Sequence, residues 1–226
     1  MRRIVRSLAA AFCLAAAPGA AGACGVELVL AVDVSRSVIN PEFNLQLNGL
    51  AQAFRDPEVV ESIGWIQGGV AATLMQWSGP RSQSQSVDWR LLSDRGSALA
   101  FADEIAATRR KFFAAFTAVG EALFQANILS ASNPWQCQRR VIDVSGDGAS
   151  NRGRAAAPVA AGLAANGVTI NALVIRGAKP DPVAYYAENV IAGQGAFIET
   201  AASFDDYAEA MKTKLLRELR PAMALK

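Results

Sequence analysis

The stretch from Val26 to Val34 constrains the fold more than any other, because it is apolar at almost every position. A strand with one solvated face alternates polar and apolar residues, whereas a strand buried on both faces is apolar nearly throughout. Strands of the second kind occur in parallel sheets, where helices cover both faces. The stretch therefore predicts a mainly parallel sheet in an α/β domain.

Strand-like and helix-like segments alternate along the rest of the chain. For example, Phe43, Leu47, Leu50 and Phe54 recur at helical spacing, which predicts an amphipathic helix. The predicted strands are 26–34, 69–77, 87–92, 140–145, 168–175 and 196–199, and the predicted helices are 41–54, 97–108, 117–129, 155–166, 182–190 and 204–219. This order predicts a three-layer, doubly wound (Rossmann-like), mainly parallel six-stranded sheet with helices on both faces, in one domain over residues 24–226.

The first 23 residues have the layout of a secretory signal peptide. Arg2, Arg3 and Arg6 precede an apolar run over 8–17, and Ala21-Gly22-Ala23 offers small residues for cleavage. The apolar run is too short to span a bilayer comfortably. We therefore expect an exported protein, periplasmic or secreted, with no transmembrane segment after signal removal.

Charge and histidine content exclude several classes of function. The chain has 22 Lys and Arg against 20 Asp and Glu, and three of the arginines lie in the predicted signal. The remainder is close to neutral, so we expect no nucleic-acid partner. The chain contains no histidine, which excludes a Cys/His zinc site and any mechanism that needs an imidazole base.

Two cysteines, Cys24 and Cys137, remain beyond the predicted signal. They precede the first and fourth predicted strands, which are neighbours in the doubly wound order. An even pair in an exported protein predicts a disulfide at the amino edge of the sheet. The alternative is a lipid anchor on Cys24 after cleavage at Ala23, although lipid signals favour Leu where this chain has Ala21.

Oxygen-bearing side chains gather where predicted strands and helices meet. Asp33, Ser35 and Ser37 form a D-x-S-x-S run at the end of the first strand, Thr117 begins a predicted helix, and Asp147 follows the fourth strand. An all-oxygen set of this kind suits Mg²⁺ or Mn²⁺. Taken singly, each residue is also an ordinary strand-end, helix-cap or turn residue. All of these residues are predicted to lie at the same edge of the sheet, which favours one shared metal site.

These segments give the chain a family resemblance. DVSRS, TAVGEAL and SGDG resemble the von Willebrand factor A (integrin I-like) superfamily, and RRVIDVSGDG and GAFIETAASFDDYAEAM are similar to a bacterial family of small exported proteins of unknown function. The resemblance implies a metal-ion-dependent adhesion site (MIDAS) in which Asp33, Ser35, Ser37, Thr117 and Asp147 hold the cation. It also implies an open coordination position that a partner's carboxylate fills.

Two residues depart from the superfamily pattern. Arg36 stands between the two serines, where a small residue is usual. It either attracts an acidic ligand beside the metal or is simply solvated. Asp143 lies inside the fourth predicted strand, where an apolar residue is expected, and a buried carboxylate must be paired. It either supports the metal site from behind or pairs with Arg139 or Arg140.

The favoured function is an exported, monomeric, non-enzymatic binding or adhesion module. In this interpretation Mg²⁺ bridges the chain to an Asp or Glu carboxylate of a protein partner. The alternative is a metal-dependent hydrolase of phosphate or ester substrates, but the chain lacks carboxylates at metal-bridging spacing and a phosphate-cradling glycine loop. A structural domain with a decayed site is a third interpretation, which the full set of five oxygen ligands disfavours.

Overall fold

A single sheet of six strands forms the middle layer of the molecule, whose computed structural model describes residues 22–113 and 116–220. The strands are β1 Gly22–Asp33, β2 Val70–Trp77, β3 Gln83–Leu92, β4 Trp135–Gly146, β5 Val168–Ile175 and β6 Ile198–Ala201. Their order is β3-β2-β1-β4-β5-β6, and every neighbouring pair is parallel except β2 and β3. This confirms the predicted doubly wound architecture. The predicted signal peptide lies outside the described residues, apart from Gly22 and Ala23.

Helices cover both faces of this sheet. They are α1 Asn40–Arg55, α2 Pro57–Gly64, α3 Arg95–Ala106, α4 Val119–Ser130, α5 Ala156–Ala165, α6 Pro182–Asn189 and α7 Tyr207–Leu219. One core unites the sheet with α1, α2, α3 and α7, and the other unites it with α4, α5 and α6. Within the described residues no helix is both long and apolar enough to cross a bilayer.

The central strand β1 explains why the chain folds in three layers. Leu28 and Leu30 point into the core under α1 and α7, whereas Val29 and Ala31 point into the core under α4 and α5. All four side chains are almost fully buried. Burial of a large aliphatic side chain stabilises a fold by about 1.5–3 kcal/mol, so β1 requires cover on both faces.

The structure corrects three details of the sequence interpretation. An additional helix, α2, follows α1 directly, with Asp56 accepting a hydrogen bond from the Glu58 backbone N–H at 2.9 Å. It was not predicted because eight residues show too little periodicity. β3 begins at Gln83 rather than Val87, because a polar stretch pairs with β2 in an antiparallel hairpin. The helix predicted from Thr117 begins at Val119.

A disulfide joins Cys24 to Cys137 across β1 and β4. The two residues are directly paired in the strand register, with Cα atoms 4.3 Å apart and 113 positions between them in sequence. Both lie inside their strands rather than just before them, because β1 and β4 begin earlier than predicted. The bond confirms the predicted disulfide, and it leaves no thiol at Cys24 for a lipid.

Removal of this disulfide is expected to destabilise the fold strongly. Closing a loop of this length contributes about 4–5 kcal/mol in the chain-entropy model. We expect the Cys24→Ser, Cys137→Ser double variant to lose about that much free energy of unfolding in urea titrations under oxidising conditions. Reduced wild-type protein is the control and should match the variant. Equal stability of the oxidised wild type and the variant would contradict the prediction.

Candidate metal centre

Four of the five predicted site residues meet at the carboxyl ends of β1 and β4. The Ser35 backbone N–H donates to Asp33 Oδ1 at 2.7 Å, and the Ser35 and Ser37 hydroxyls lie 3.1 Å apart. Ser37 Oγ then donates to Asp147 Oδ1 at 2.8 Å. Since β1 and β4 are neighbours, residues separated by more than a hundred positions in sequence form one continuous cluster of oxygen atoms.

The carboxylate of Asp33 is the most unusual group in this cluster. Its side chain is fully buried, and among the described residues its Oδ2 atom has no hydrogen-bond partner. Burial, reinforced by the negative charge of Asp147, raises the pKa of Asp33 to about 8, although hydrogen bonds from Ser35 oppose the shift. An ionised carboxylate in such a place needs a compensating cation. The unpartnered oxygen therefore fits a bound metal ion.

The donor set also matches a hard divalent cation. Asp147 is half-buried, and burial raises its pKa. The described residues contain no group of three or more His, Cys, Asp or Glu side chains able to hold a metal. The cluster instead combines two carboxylates with serine hydroxyls, a composition that suits Mg²⁺ or Mn²⁺ and in which the carboxylates balance the charge of the ion.

The backbone of Thr117 is hydrogen-bonded to a loop at the same edge of the sheet. Its N–H donates to Asn151 Oδ1 at 3.0 Å, and its carbonyl accepts from the Asn151 N–H at 2.9 Å. Asn151 belongs to the loop that follows Asp147. In the described part of the chain, no hydrogen bond joins the Thr117 hydroxyl to the other four side chains. The structure thus ties the Thr117 backbone to the loop that follows Asp147, and within the described residues it does not link the Thr117 side chain to the cluster.

Two functional features of the centre escaped sequence reasoning, and the first is a tyrosine. The Tyr186 hydroxyl is buried and has no hydrogen-bond partner in the described part of the chain, and burial together with the charges of Asp33 and Asp147 raises its pKa. A Cβ at Gly146 would collide with this hydroxyl and lie 3.3 Å from Asp33 Oδ2. Only glycine leaves the space between them. No local pattern marks Tyr186, because α6 reaches the site only through the fold.

The second feature is Arg110, which ties the D-x-S-x-S segment in place. Its Nη2 donates to the carbonyls of Val34 and Ser35 at 3.0 and 2.9 Å, and its Nη1 donates to Asn40 Oδ1 at 3.1 Å. Its Nε donates to the carbonyl of Phe112 at 2.9 Å. Its positive charge also lowers the pKa of Asp33. One guanidinium therefore connects β1, α1 and the segment that precedes Thr117.

The two departures from the superfamily pattern have different outcomes. Arg36 is exposed, which agrees with the solvated interpretation and leaves its attraction for a ligand untested. Asp143 pairs with neither Arg139 nor Arg140. It lies 2.7 Å from Lys214 Nζ of α7, and both side chains are fully buried. The arginine alternative fails because the partner is a lysine of α7, 71 positions further along the chain.

Lys214 serves two buried carboxylates at once. Besides Asp143 it contacts Glu218 of the same helix, whose Oε1 also accepts from Asn171 Nδ2 at 2.7 Å. Burial and the nearby Glu218 raise the pKa of Asp143, while Lys214 opposes them. This group joins α7 to β4 and β5 and stands apart from the oxygen cluster. Asp143 therefore helps to hold α7 against the sheet.

Solved structures define the class of this fold. Over 87% of this chain and 48% of the other, it superposes on proximal thread matrix protein 1 from the mussel byssus with a TM-score of 0.65 and 18% identity. A second structure of that protein, described as having a zinc-occupied MIDAS motif, gives a TM-score of 0.61 at 16% identity over 86% and 46% of the two chains. The chain thus spans about half the length of the mussel protein.

A domain of nearly equal size gives the same result. The vWF domain of the type V pili tip protein Mfa5 from Porphyromonas gingivalis matches 89% of this chain and 98% of its own, with a TM-score of 0.58 and 11% identity. The fold is therefore of the von Willebrand factor A type. Among curated proteins, no sequence match is found.

The family model described as "Protein of unknown function (DUF1194)" matches residues 23–223. This match covers nearly the whole described chain, so the protein belongs to that family.

The affinity of the centre for metal should depend strongly on pH. A metal binds the ionised carboxylate, so it must displace the proton from Asp33, whose pKa is raised to about 8. We expect the Mn²⁺ association constant to rise about tenfold per pH unit up to about pH 8 and then to level off. Calorimetric titrations across this range would measure it. An affinity that is constant from pH 6 to 8 would contradict the assignment.

Replacement of Lys214 should be far more costly than replacement of its neighbour Lys212. Lys214→Met leaves two buried carboxylates without a counter-ion, at a cost of about 3–5 kcal/mol. Lys212→Met removes only surface ion pairs with Asp56 and Glu58 and should cost under about 1 kcal/mol. Without Lys214, Asp143 favours its protonated form. The stability lost in Lys214→Met should therefore become smaller as the pH falls. Urea titrations at acid and neutral pH would test both statements.

Proposed function

We propose that this protein is an exported binding module in which a divalent cation at the oxygen cluster bridges to an acidic group of a protein partner. The observation that carries the proposal is the fully buried Asp33 carboxylate with an unpartnered oxygen at the ligand-binding edge of a doubly wound sheet. Asp33, Ser35, Ser37, Thr117 and Asp147 are the residues proposed to hold the ion.

The chemistry of the donor set supports Mg²⁺ or Mn²⁺ and a carboxylate partner. Two carboxylates balance a divalent charge and the hydroxyls are neutral, but these side chains do not complete an octahedral shell, so the open position accepts a further hard oxygen donor such as a carboxylate anion. An Asp or Glu side chain of another protein supplies such an anion. The zinc-occupied MIDAS motif of the mussel protein supports a divalent ion at this position of the fold.

The structural neighbours and the disulfide support an exported binding role. One neighbour is a byssal thread matrix protein and another is the tip protein of a pilus. The Cys24–Cys137 disulfide requires an oxidising compartment. We propose a monomeric protein that acts in the periplasm or outside the cell after removal of residues 1–23. The hydrolase alternative gains no support from the two-carboxylate cluster.

Metal binding should be tested on purified protein with a matched pair of variants. Asp33→Asn removes the buried carboxylate, whereas Asp88→Asn makes the same change on the exposed side of β3. We expect wild type and Asp88→Asn to bind Mg²⁺ and Mn²⁺ in calorimetry, and Asp33→Asn to lose at least about tenfold in affinity. Equal affinity in all three proteins would contradict the proposed site.

Partner binding is tested by capture from an extract of exported proteins. With Mg²⁺ present, wild type and Asp88→Asn should retain the same partner, and EDTA or Asp33→Asn should release it. Retention in all conditions would contradict a metal bridge. Hydrolysis of phosphate or ester substrates that disappears in Asp33→Asn would favour the enzymatic alternative instead.

A further inference from the structure

Cationic and aromatic side chains lie at the edge of the sheet that carries the oxygen cluster. We call this set the rim and define it as Arg36, Arg110, Phe113, Phe116 and Arg152. Arg36 lies between the two serines, Arg110 holds the carbonyls of Val34 and Ser35, and Phe116 precedes Thr117. The set comes from three separate segments that converge at one edge.

Hydrogen bonds hold the rim segments beside the cluster. The Phe116 carbonyl accepts from Ser78 Oγ at 3.0 Å, which ties this segment to the end of β2. The Arg152 N–H donates to the Thr117 carbonyl at 3.3 Å. The rim is therefore attached to the same framework as the site.

The aromatic members of the rim are exposed and paired with arginines. Phe113 is 73% exposed and Phe116 is 41% exposed. The Arg110 guanidinium lies 5.1 Å from the centre of the Phe113 ring, and Arg152 lies 5.0 Å from that of Phe116. Both pairs present an apolar surface and a positive charge side by side. Such surfaces are enriched at protein interfaces.

Arginines outnumber the acids that remain at this edge. Within residues 22–113 and 116–220, Arg36 and Arg152 make no ion pair, whereas Glu121 is engaged by Arg154. Glu42 adds one negative charge close to Asp147, since its hydrogen bond from the Ile39 N–H is with a neutral group. With a divalent ion balancing Asp33 and Asp147, the three arginines of the rim outnumber Glu42, so the remaining charge of the edge is positive. Complementary charge on a partner would steer its approach and set its specificity.

Building on the proposed function, we propose that the rim recognises an acidic peptide segment of the partner. In this segment the carboxylate that reaches the metal is flanked by further Asp or Glu residues and by an apolar side chain. The additional carboxylates meet Arg36 and Arg152, and the apolar side chain packs on Phe113 and Phe116. A protein segment is favoured over nucleic acid because the chain is close to neutral overall, with 22 basic against 20 acidic residues.

Three synthetic probes separate these contributions. The first is a blocked, fluorescently labelled peptide with several Glu residues around one Phe. The second has a single Glu, with Gln in place of the others, and the third keeps all Glu residues but has Ala in place of Phe. A single-stranded oligonucleotide of the same charge as the first peptide reports on nucleic-acid binding. Binding is measured by fluorescence anisotropy in Mg²⁺ at low and at physiological salt.

Matched variants identify the residues that act. Arg36→Gln with Arg152→Gln removes two rim charges, and Arg95→Gln with Arg220→Gln removes two exposed charges outside the rim. Phe113→Ser removes a rim aromatic, and Trp65→Ser removes an aromatic that is 74% exposed at the opposite edge. Circular dichroism and urea titrations confirm that each variant is folded.

We expect the rim charge variant to bind the first peptide roughly tenfold more weakly at low salt, with a smaller difference at physiological salt because the charges are screened. Phe113→Ser should weaken binding of the first peptide roughly threefold and leave binding of the third peptide unchanged. The control variants should bind all probes as the wild type does.

Three results would overturn the inference. They are equal binding of the peptides by rim and control variants, no binding of the first peptide to wild type at millimolar concentration, and tighter binding of the oligonucleotide than of the peptide. If Asp33→Asn still abolishes binding while the rim variants do not weaken it, the proposed metal bridge stands and only the rim fails. Peptide binding that survives both EDTA and Asp33→Asn would instead contradict the metal bridge.

Discussion

The burial of the Asp33 carboxylate is the constraint on which the rest of the site depends. β1 runs through the middle of the sheet with both faces covered, so its last residue is enclosed on all sides except the sheet edge. Burial at this place raises the pKa of the carboxyl group. Within the described residues, one of its oxygens has no hydrogen-bond partner. In the proposed function a bound cation relieves this unfavourable electrostatic environment, and its binding free energy would stabilise the fold.

The surrounding elements keep the cluster in shape before any ion binds. Arg110 holds the backbone of the D-x-S-x-S segment, Asn151 holds Thr117, and Gly146 leaves room beside the Tyr186 hydroxyl. These contacts join segments that are far apart in sequence. Preorganisation of this kind lowers the cost of assembling a coordination sphere, because the oxygens need little rearrangement.

The sequence was sufficient for the architecture and for the residues that end strands, because both follow from local patterns. The apolar run of β1 ends in Asp33, and β4 is followed by Asp147. In a doubly wound sheet the carboxyl ends of these two strands lie at the same edge. Arg110 and Tyr186 leave no such signal, since they reach the site only through the three-dimensional fold. Lys214 did leave one: it shares the inward face of α7 with Met211 and Leu215, three positions before it and one after it. A lysine at that position indicates a buried partner.

The proposed site requires that one divalent cation bind within the oxygen cluster of β1 and β4. Anomalous diffraction from crystals grown with Mn²⁺ measures this, because the ion is located without reference to any partner. We expect one strong anomalous peak at coordination distance, about 2.0–2.3 Å, from the hydroxyls of Ser35 and Ser37, with Asp33 and Asp147 on its two sides. A peak at another place, or none at saturating Mn²⁺, would contradict it.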